Sequence, residues 1–277
     1  MKMIVGAFVL VAGLAGQAAF ARAQTTAAPA DRANTVRQLS NELRWHDAEG
    51  HKQYLRIRDE RTKRFLNEID GFVAESFSPG TATAEQVKTG LDPLLSHKKG
   101  DSGDNVAFLV NLPNGHFLVI GVDVRRGGGA ISEDAMSFRA YREEGHQFIL
   151  TADVDYPYSG DNDEEVFQPF AGLHAKALLS RPRGGEFWFT AWAQLGSVAP
   201  PMVTMRLFGF DGEKFRTVWS TDHFFSAYVD RAVQLTPDGG FTLRTMPDPK
   251  GNVVMNERYA VTADGPQKVA DWETELR

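Results

Sequence analysis

Residues 208–219 read FGFDGEKFRTVW. Two short runs that alternate apolar and polar side chains flank Asp211-Gly212, and such a Gly-bearing pair supplies the positive φ that a tight hairpin needs. The same form recurs along the chain. Asn105–Leu112 and His116–Val124 are joined by Pro113-Asn114-Gly115, and Met136–Arg142 and Gln147–Ala152 through Glu144-Gly145. His174–Ser180 and Glu186–Leu195 meet at Arg183-Gly184-Gly185, and Val203–Phe210 and Lys214–Ser220 at Asp211-Gly212. Less cleanly, Val229–Leu235 and Phe241–Met246 meet at Asp238-Gly239-Gly240, and Glu257–Thr262 and Gln267–Trp272 at Asp264-Gly265.

Each unit thus has four strands, two hairpin turns and a longer middle connection. The units cover about 104–153, 172–221 and 228–273 within a β body of 104–277, a spacing suited to a four-stranded module with variable loops. Aligning the second turns of the first two units matches Arg139 to Arg206, Tyr141 to Phe208 and Phe148 to Phe215. The third unit keeps the turn but not those side chains. Serial antiparallel modules of this kind suggest propeller blades, although three are fewer than the usual closed ring. Three arrangements satisfy the pattern: an open arc capped by helices, a continuous twisted sheet or sandwich, or a ring completed by two chains as a homodimer. The favoured expectation is an open or partial propeller-like body, or a twisted β-sandwich, with helices packed on one end. The turn pattern names no family.

The front of the chain has a helical period. Val36, Leu39 and Leu43 share one face of a short helix; Leu55, Leu66, Ile69, Val73 and Phe77 stripe a longer one that stops at Ser78-Pro79-Gly80. A third helix opens on Thr83-Ala84-Glu85-Gln86, the Thr-x-x-Gln form of a capping box, and runs to about Ser96, with Pro93 kinking or shortening it. This helical segment spans 31–97. The mixed charges of the middle helix, Lys52 to Arg64 with Asp59 and Glu60 among them, read as a solvated face rather than a basic docking surface.

Residues 1–23 read as a signal peptide: Lys2, an apolar or small stretch from Met3 to Phe20, then the small-x-small site Ala21-Arg22-Ala23. The mature chain is expected to begin near Gln24, with a flexible leader over 24–30, and to work in the periplasm or outside the cell. Its formal charge of −6 becomes −8 on loss of Lys2 and Arg22. A mildly acidic surface argues against nucleic acid or an anionic membrane as partner, and no membrane insertion is expected after cleavage. Cysteine is absent. That excludes a disulfide framework, thiolate metal sites, a cysteine nucleophile and a lipid-modified N-terminal cysteine, so the fold must rest on its apolar core, for which about 250 residues suffice.

Chemistry is sparse. Gly-x-Ser-x-Gly, His-Glu-x-x-His and the Gly-x-x-x-x-Gly-Lys phosphate loop are all absent. Gly127-Gly128-Gly129 lacks the Lys and hydroxyl of a phosphate loop, and the seven histidines are scattered. The densest polar cluster runs from Asp153 to Glu165. Asp153, Asp155, Asp161 and Asp163 are its candidate calcium ligands, because calcium takes several oxygens in irregular geometry, although the spacing departs from the twelve-residue calcium loop. The same carboxylates raise an alternative, a secreted hydrolase acting on polysaccharide through the loop Asp153–Asp163. The candidate ligand-binding aromatics are Trp188, Trp192, Tyr156 and Tyr158. Strand alternation over Phe187–Leu195 puts Trp188, Thr190, Trp192 and Gln194 on one face, suited to stacking against a sugar or flat partner. The competing reading is a central strand packed on both faces. The functional expectation is an exported binding or interaction protein with a protein or glycan ligand, without a catalytic signature and with no cofactor unless calcium. A cell-envelope scaffold dimerising through its helices is the third reading.

Overall fold

The structure, a computed structural model, describes residues 29–43, 51–95, 105–124, 135–156, 171–178, 184–195 and 199–276; the stretch expected to be a signal peptide and most of the acidic loop lie outside them. Three helices open the described chain: α1 (Pro29–Glu42), α2 (His51–Ser76) and α3 (Ala84–Leu95). Most of the expected stripe is buried, with Val36 and Leu39 of α1 meeting Leu66, Ile69 and Val73 of α2 and Val87 and Leu91 of α3, while Phe77 is half-buried. The capping box forms as its residue types require. The Thr83 amide donates to Gln86 Oε1 at 2.9 Å, and the Gln86 amide donates to Thr83 Oγ1 at 3.1 Å. Pro93 sits in the last turn of α3, which stops at Leu95.

A buried cation keys α1 to α2. Arg32 donates from Nε and Nη2 to Glu75 at 2.8 and 2.7 Å and from Nη1 to Glu68 at 2.7 Å. Gly71 leaves room for this fork, since a Cβ there would stand 2.4 Å from Arg32 Nη1. The hydrogen bonds to Glu75, against the opposing pull of burial, raise the Arg32 pKa further.

Beyond the helices every sheet neighbour is antiparallel, in three four-stranded meanders. The first sheet is β1 (Asn105–Leu112), β2 (Gly115–Val124), β3 (Ala135–Glu144) and β4 (Gln147–Tyr156). The second is β5 (Ala171–Ala177), β6 (Phe187–Leu195), β7 (Met202–Phe210) and β8 (Phe215–Ser220), with the two-residue β9 (Phe224–Phe225) added alongside β7. The third is β10 (Val233–Leu235), β11 (Phe241–Thr245), β12 (Val253–Thr262) and β13 (Gly265–Glu275). The tandem units expected from the turns are therefore present. One segment differs. Val229–Leu235, expected as a strand, begins as a 3-10 turn over Val229–Arg231, and only the last three residues pair.

The hairpin at 208–219 shows how the turns work. Gly212 takes φ +94°, and Asp211 Oδ1 accepts the amides of Glu213 and Lys214, each at 2.9 Å. Burial pushes the Asp211 carboxyl upward, but those amides outweigh it and hold its pKa below the usual range. Asn114, in the first sheet's turn, donates to the Asp211 carbonyl at 3.0 Å, so corresponding ends of neighbouring sheets touch.

The sheets stack face to face. Leu118, Ile120, Val122 and Val124 of β2 pack on the helices with Tyr141 and Phe148. Their strand neighbours Phe117 and Val119, with Met136 and Phe138, pack on Phe187, Phe189, Phe208 and Phe210 of the second sheet. Ring centroids there are 4.9 Å apart for Phe138–Phe208 and 5.0 Å for Phe138–Phe189. The reverse face of the second sheet, Trp192, Val203 and Met205, packs on Val233, Phe241 and Leu243 of the third. The layer order is helices, first sheet, second sheet, third sheet.

The repeat extends to an irregularity. Register slips by one residue in the last strand pair of every sheet, at Ala140/Tyr141, Leu207/Phe208 and Arg258/Tyr259. Such a bulge raises local twist, so the three sheets carry the same bend. The sequence alignment also holds in space. Tyr141 and Phe148 face the layer before their sheet, and so do Phe208 and Phe215.

The stack ends differently at its two sides. Strands covered on both faces read as near-continuous apolar runs, HFLVIGVDV in β2 and FWFTAWAQL in β6. The third sheet alternates. Phe241, Leu243, Tyr259 and Val261 face the second sheet, which by strand alternation leaves Thr242, Arg244, Asn256 and Arg258 on the outer side. Asn256 Nδ2 donates to the Trp272 carbonyl and to Thr274 Oγ1, and Arg258 pairs with Asp238. This face is polar in composition; Thr242, Val254 and Asn256 on it are buried, and solvent reaches the third sheet chiefly at β13, most of whose residues are exposed. Among the described residues no helix is long and apolar enough to cross a membrane.

Candidate functional site

The aromatic candidates on β6 are enclosed. Trp188 and Trp192 are each 1% exposed, and β6 is packed on both faces, by the phenylalanine layer on one side and the third sheet on the other. Their polar edges are satisfied internally. Trp188 Nε1 donates to Glu186 Oε2 at 2.7 Å, Glu186 pairs with Arg216, and the Arg216 guanidinium lies 5.3 Å from the Trp188 ring centre. Trp192 Nε1 donates to the Val229 carbonyl at 2.8 Å. The two-sided strand is the reading that fits; neither indole is open to a ligand.

The acidic candidates lie elsewhere. Asp153 pairs across the first sheet with Arg139, whose Nη1 stands 3.7 Å from its Oδ2. Asp155 and Tyr156 end β4 opposite Ser137 and Met136. Tyr158, Asp161 and Asp163 lie outside the described residues, as does most of the proposed calcium and hydrolase loop. Asp153 shares the helix side of the first sheet with Arg139, whereas the two tryptophans face the third sheet, so these groups do not converge. Among the described residues no group of three histidine or carboxylate side chains is placed to hold a metal ion.

Arg139 belongs instead to a fastening. Asp70 of α2 takes both its Nε and Nη2, and also the Tyr141 hydroxyl. Burial, with the Asp70 charge beside it, pushes the Tyr141 pKa well above its ordinary value. A fully buried, reluctant phenol is no base or nucleophile at neutral pH.

The residues that do gather at an accessible place surround the 3-10 turn at Val229–Arg231, beside the third sheet. Its conformation has an external cause: the Val229 carbonyl accepts both the Ala232 amide at 3.1 Å and the Trp192 indole. The approach is pinned by Ser226, whose amide donates to the Pro201 carbonyl at 2.9 Å and whose hydroxyl donates to the Tyr228 carbonyl at 3.2 Å. On one side of the turn the His174 ring stacks on Trp192 at 5.4 Å, and Lys176 Nζ lies 5.6 Å from the same ring. Burial lowers the His174 pKa; Asp230 opposes that shift and Lys176 adds to it.

On the other side is a shallow surface cleft, open to solvent and lined by Ser226, Ala227, Tyr228, Arg231, Arg244 and Val254. Val254 is buried, Arg244 half-buried and Tyr228 53% exposed. The Arg231 guanidinium lies 5.7 Å from the Tyr228 ring centre and 3.6 Å from Asp230 in a loose, exposed pair. Among the described residues the Arg244 guanidinium has no hydrogen-bond or ion-pair partner. Sequence reading missed this place because its residues come from a turn, β11 and β12, and no spacing announces their meeting. The one local signal is a polar, Tyr-containing stretch, Ser226-Ala227-Tyr228-Val229-Asp230-Arg231, at the head of a supposed strand. Comparison of the chain with protein-family models, with curated proteins and with solved structures finds no match.

Proposed function

We propose that the chain is an exported binding protein that meets its ligand at the surface cleft beside Tyr228, without catalysing a reaction on it. The stacked sheets supply a rigid body, and the turn at Val229–Arg231 presents an accessible aromatic ring beside a half-buried cation. The observation that carries this reading is the contrast between the two kinds of aromatic. Trp188 and Trp192 are enclosed with satisfied edges, whereas the Tyr228 ring stands 53% exposed at the mouth of a cleft. Exposed aromatic rings beside arginine are the groups that dominate recognition surfaces.

Export is part of the proposal. It rests on Lys2, the apolar stretch Met3–Phe20 and the Ala21-Arg22-Ala23 site, and N-terminal sequencing of the secreted or periplasmic protein should begin at Gln24. Binding is tested by thermal-shift screening of the mature chain against a broad small-molecule and oligosaccharide library. At least one compound should raise the melting temperature of the parent chain and lose that effect in Tyr228→Ser. A library without hits, hits indifferent to Tyr228, or turnover of a hit compound would contradict the reading.

A further inference from the structure

We infer that the cleft between Tyr228 and Arg244 anchors its ligand by an oxyanion, a carboxylate or phosphate group, held by the guanidinium groups of Arg231 and Arg244; this rests on the binding reading above. The chain as a whole is acidic, at −6, yet the charged side chains lining the cleft are both arginines. Arg244 projects from the polar face of the third sheet into the cleft beside buried Val254. Its guanidinium has no acceptor among the described residues and opens to solvent, which leaves its donors available to an acceptor from outside. Three arginines are matched, Arg32 by Glu75 and Glu68, Arg139 by Asp70, and Arg216 by Glu186, whereas half-buried Arg142 lies against the Phe117 ring with its Nε unbonded.

Arg231 is the second hand. Its contact with Asp230 is long, and both side chains are about two-thirds exposed, so the pair restrains it little. A guanidinium's planar fork fits the two oxygens of a carboxylate or phosphate edge.

The depression encloses no cavity of its own, so an anion would be met at the surface between the two arginines, with the rest of the ligand against the exposed Tyr228 ring.

The test is calorimetric titration of the intact mature chain with inorganic phosphate and, separately, with succinate, at low and high salt. Parent protein should bind at least one of the two saturably, and more weakly as salt rises. In Arg244→Gln that affinity should fall by about tenfold or more, and in Arg231→Gln by a smaller factor. Arg258→Gln, on the same face but paired with Asp238, should leave it unchanged, and matching melting temperatures would show each variant folded. Phosphate binding alone identifies a phosphate ligand, and succinate binding alone a carboxylate. Saturation by neither anion up to about 50 mM, or equal binding in Arg244→Gln, overturns the inference. The binding function would still stand if neutral compounds from the library needed Tyr228.

Discussion

The Asp70 carboxylate on α2 grips two arms of the Arg139 guanidinium on β3, at 2.6 Å to each oxygen, and accepts the Tyr141 hydroxyl at 2.7 Å. It is a polar rivet between the helical cap and the first sheet, beside the apolar contact; Asn105 of β1, donating to Asp92 of α3 at 2.6 Å, is another. Arg139 is buried, so Asp70→Ala would leave its cation with only the longer pair to half-exposed Asp153 at 3.7 Å. Loss of one partner of a buried pair costs about 3–5 kcal/mol, whereas an apolar pair of similar volume is often neutral. Urea unfolding should therefore show Asp70→Ala strongly destabilised, and Asp70→Leu with Arg139→Met much closer to the parent chain. A double variant as unstable as the single one would mean that the rivet contributes more than charge balance.

Between the first two sheets the tight point is Gly121. A Cβ there would stand 2.6 Å from Phe138 Cε1 and 2.8 Å from Val106 Cγ2, both within the packed layer. Gly121→Ala should cost about 1–3 kcal/mol by overpacking. Gly184→Ala, with nothing within 4 Å of its added methyl, should stay within about 0.5 kcal/mol of the parent. Differential scanning calorimetry separates the two.

Trp192 and Tyr228 should part company in the same way. Truncating the enclosed indole, Trp192→Ala, is expected to cost about 3–5 kcal/mol of stability. Tyr228→Ser, at an exposed ring, should cost no more than about 0.5 kcal/mol while abolishing ligand-induced stabilisation. The reverse pattern in chemical unfolding would relocate the site to β6.

His174 makes stability depend on acid. Its folded pKa lies below the 6.5 of the free side chain, chiefly through burial against Trp192. The unfolded chain then binds the proton more readily than the folded one. The contribution is fully present above pH 6.5 and is lost as pH falls through the folded value. Urea midpoints should therefore drop between about pH 7 and pH 5 more steeply in the parent than in His174→Gln, and the His174 proton resonances should titrate below 6.5.

Much of the architecture was legible because alternation and turn chemistry are local. Asp211-Gly212 and its counterparts announce hairpins, and Thr83 with Gln86 announces a helix start. The stacking order was less so. Alternation over Phe187–Leu195 reads alike whether one face is wet or both are packed, and what decides it, the third sheet against Trp192, lies beyond the strand itself. The turn at Val229–Arg231 was hidden for a related reason: an indole from β6 holds the Val229 carbonyl. The cleft was least legible, since Tyr228, Arg244 and Val254 meet only through the folding of the third sheet. Arg139, matched to Arg206 by the repeat, could not be seen as the partner of Asp70, because a helix–sheet ion pair leaves no spacing.

The central claim is that the sheets form a finite stack, closed by helices at one side and by the polar face of the third sheet at the other. Hydrogen exchange on the intact chain at high protein concentration tests this directly, because exchange follows local opening. Amides of β2, β3, β6 and β7, covered on both faces, should be the slowest, while β13, with Trp272 47% exposed, should exchange much faster. Protection of β13 equal to that of β6 would mean that another layer covers the third sheet, and the finite stack would be refuted.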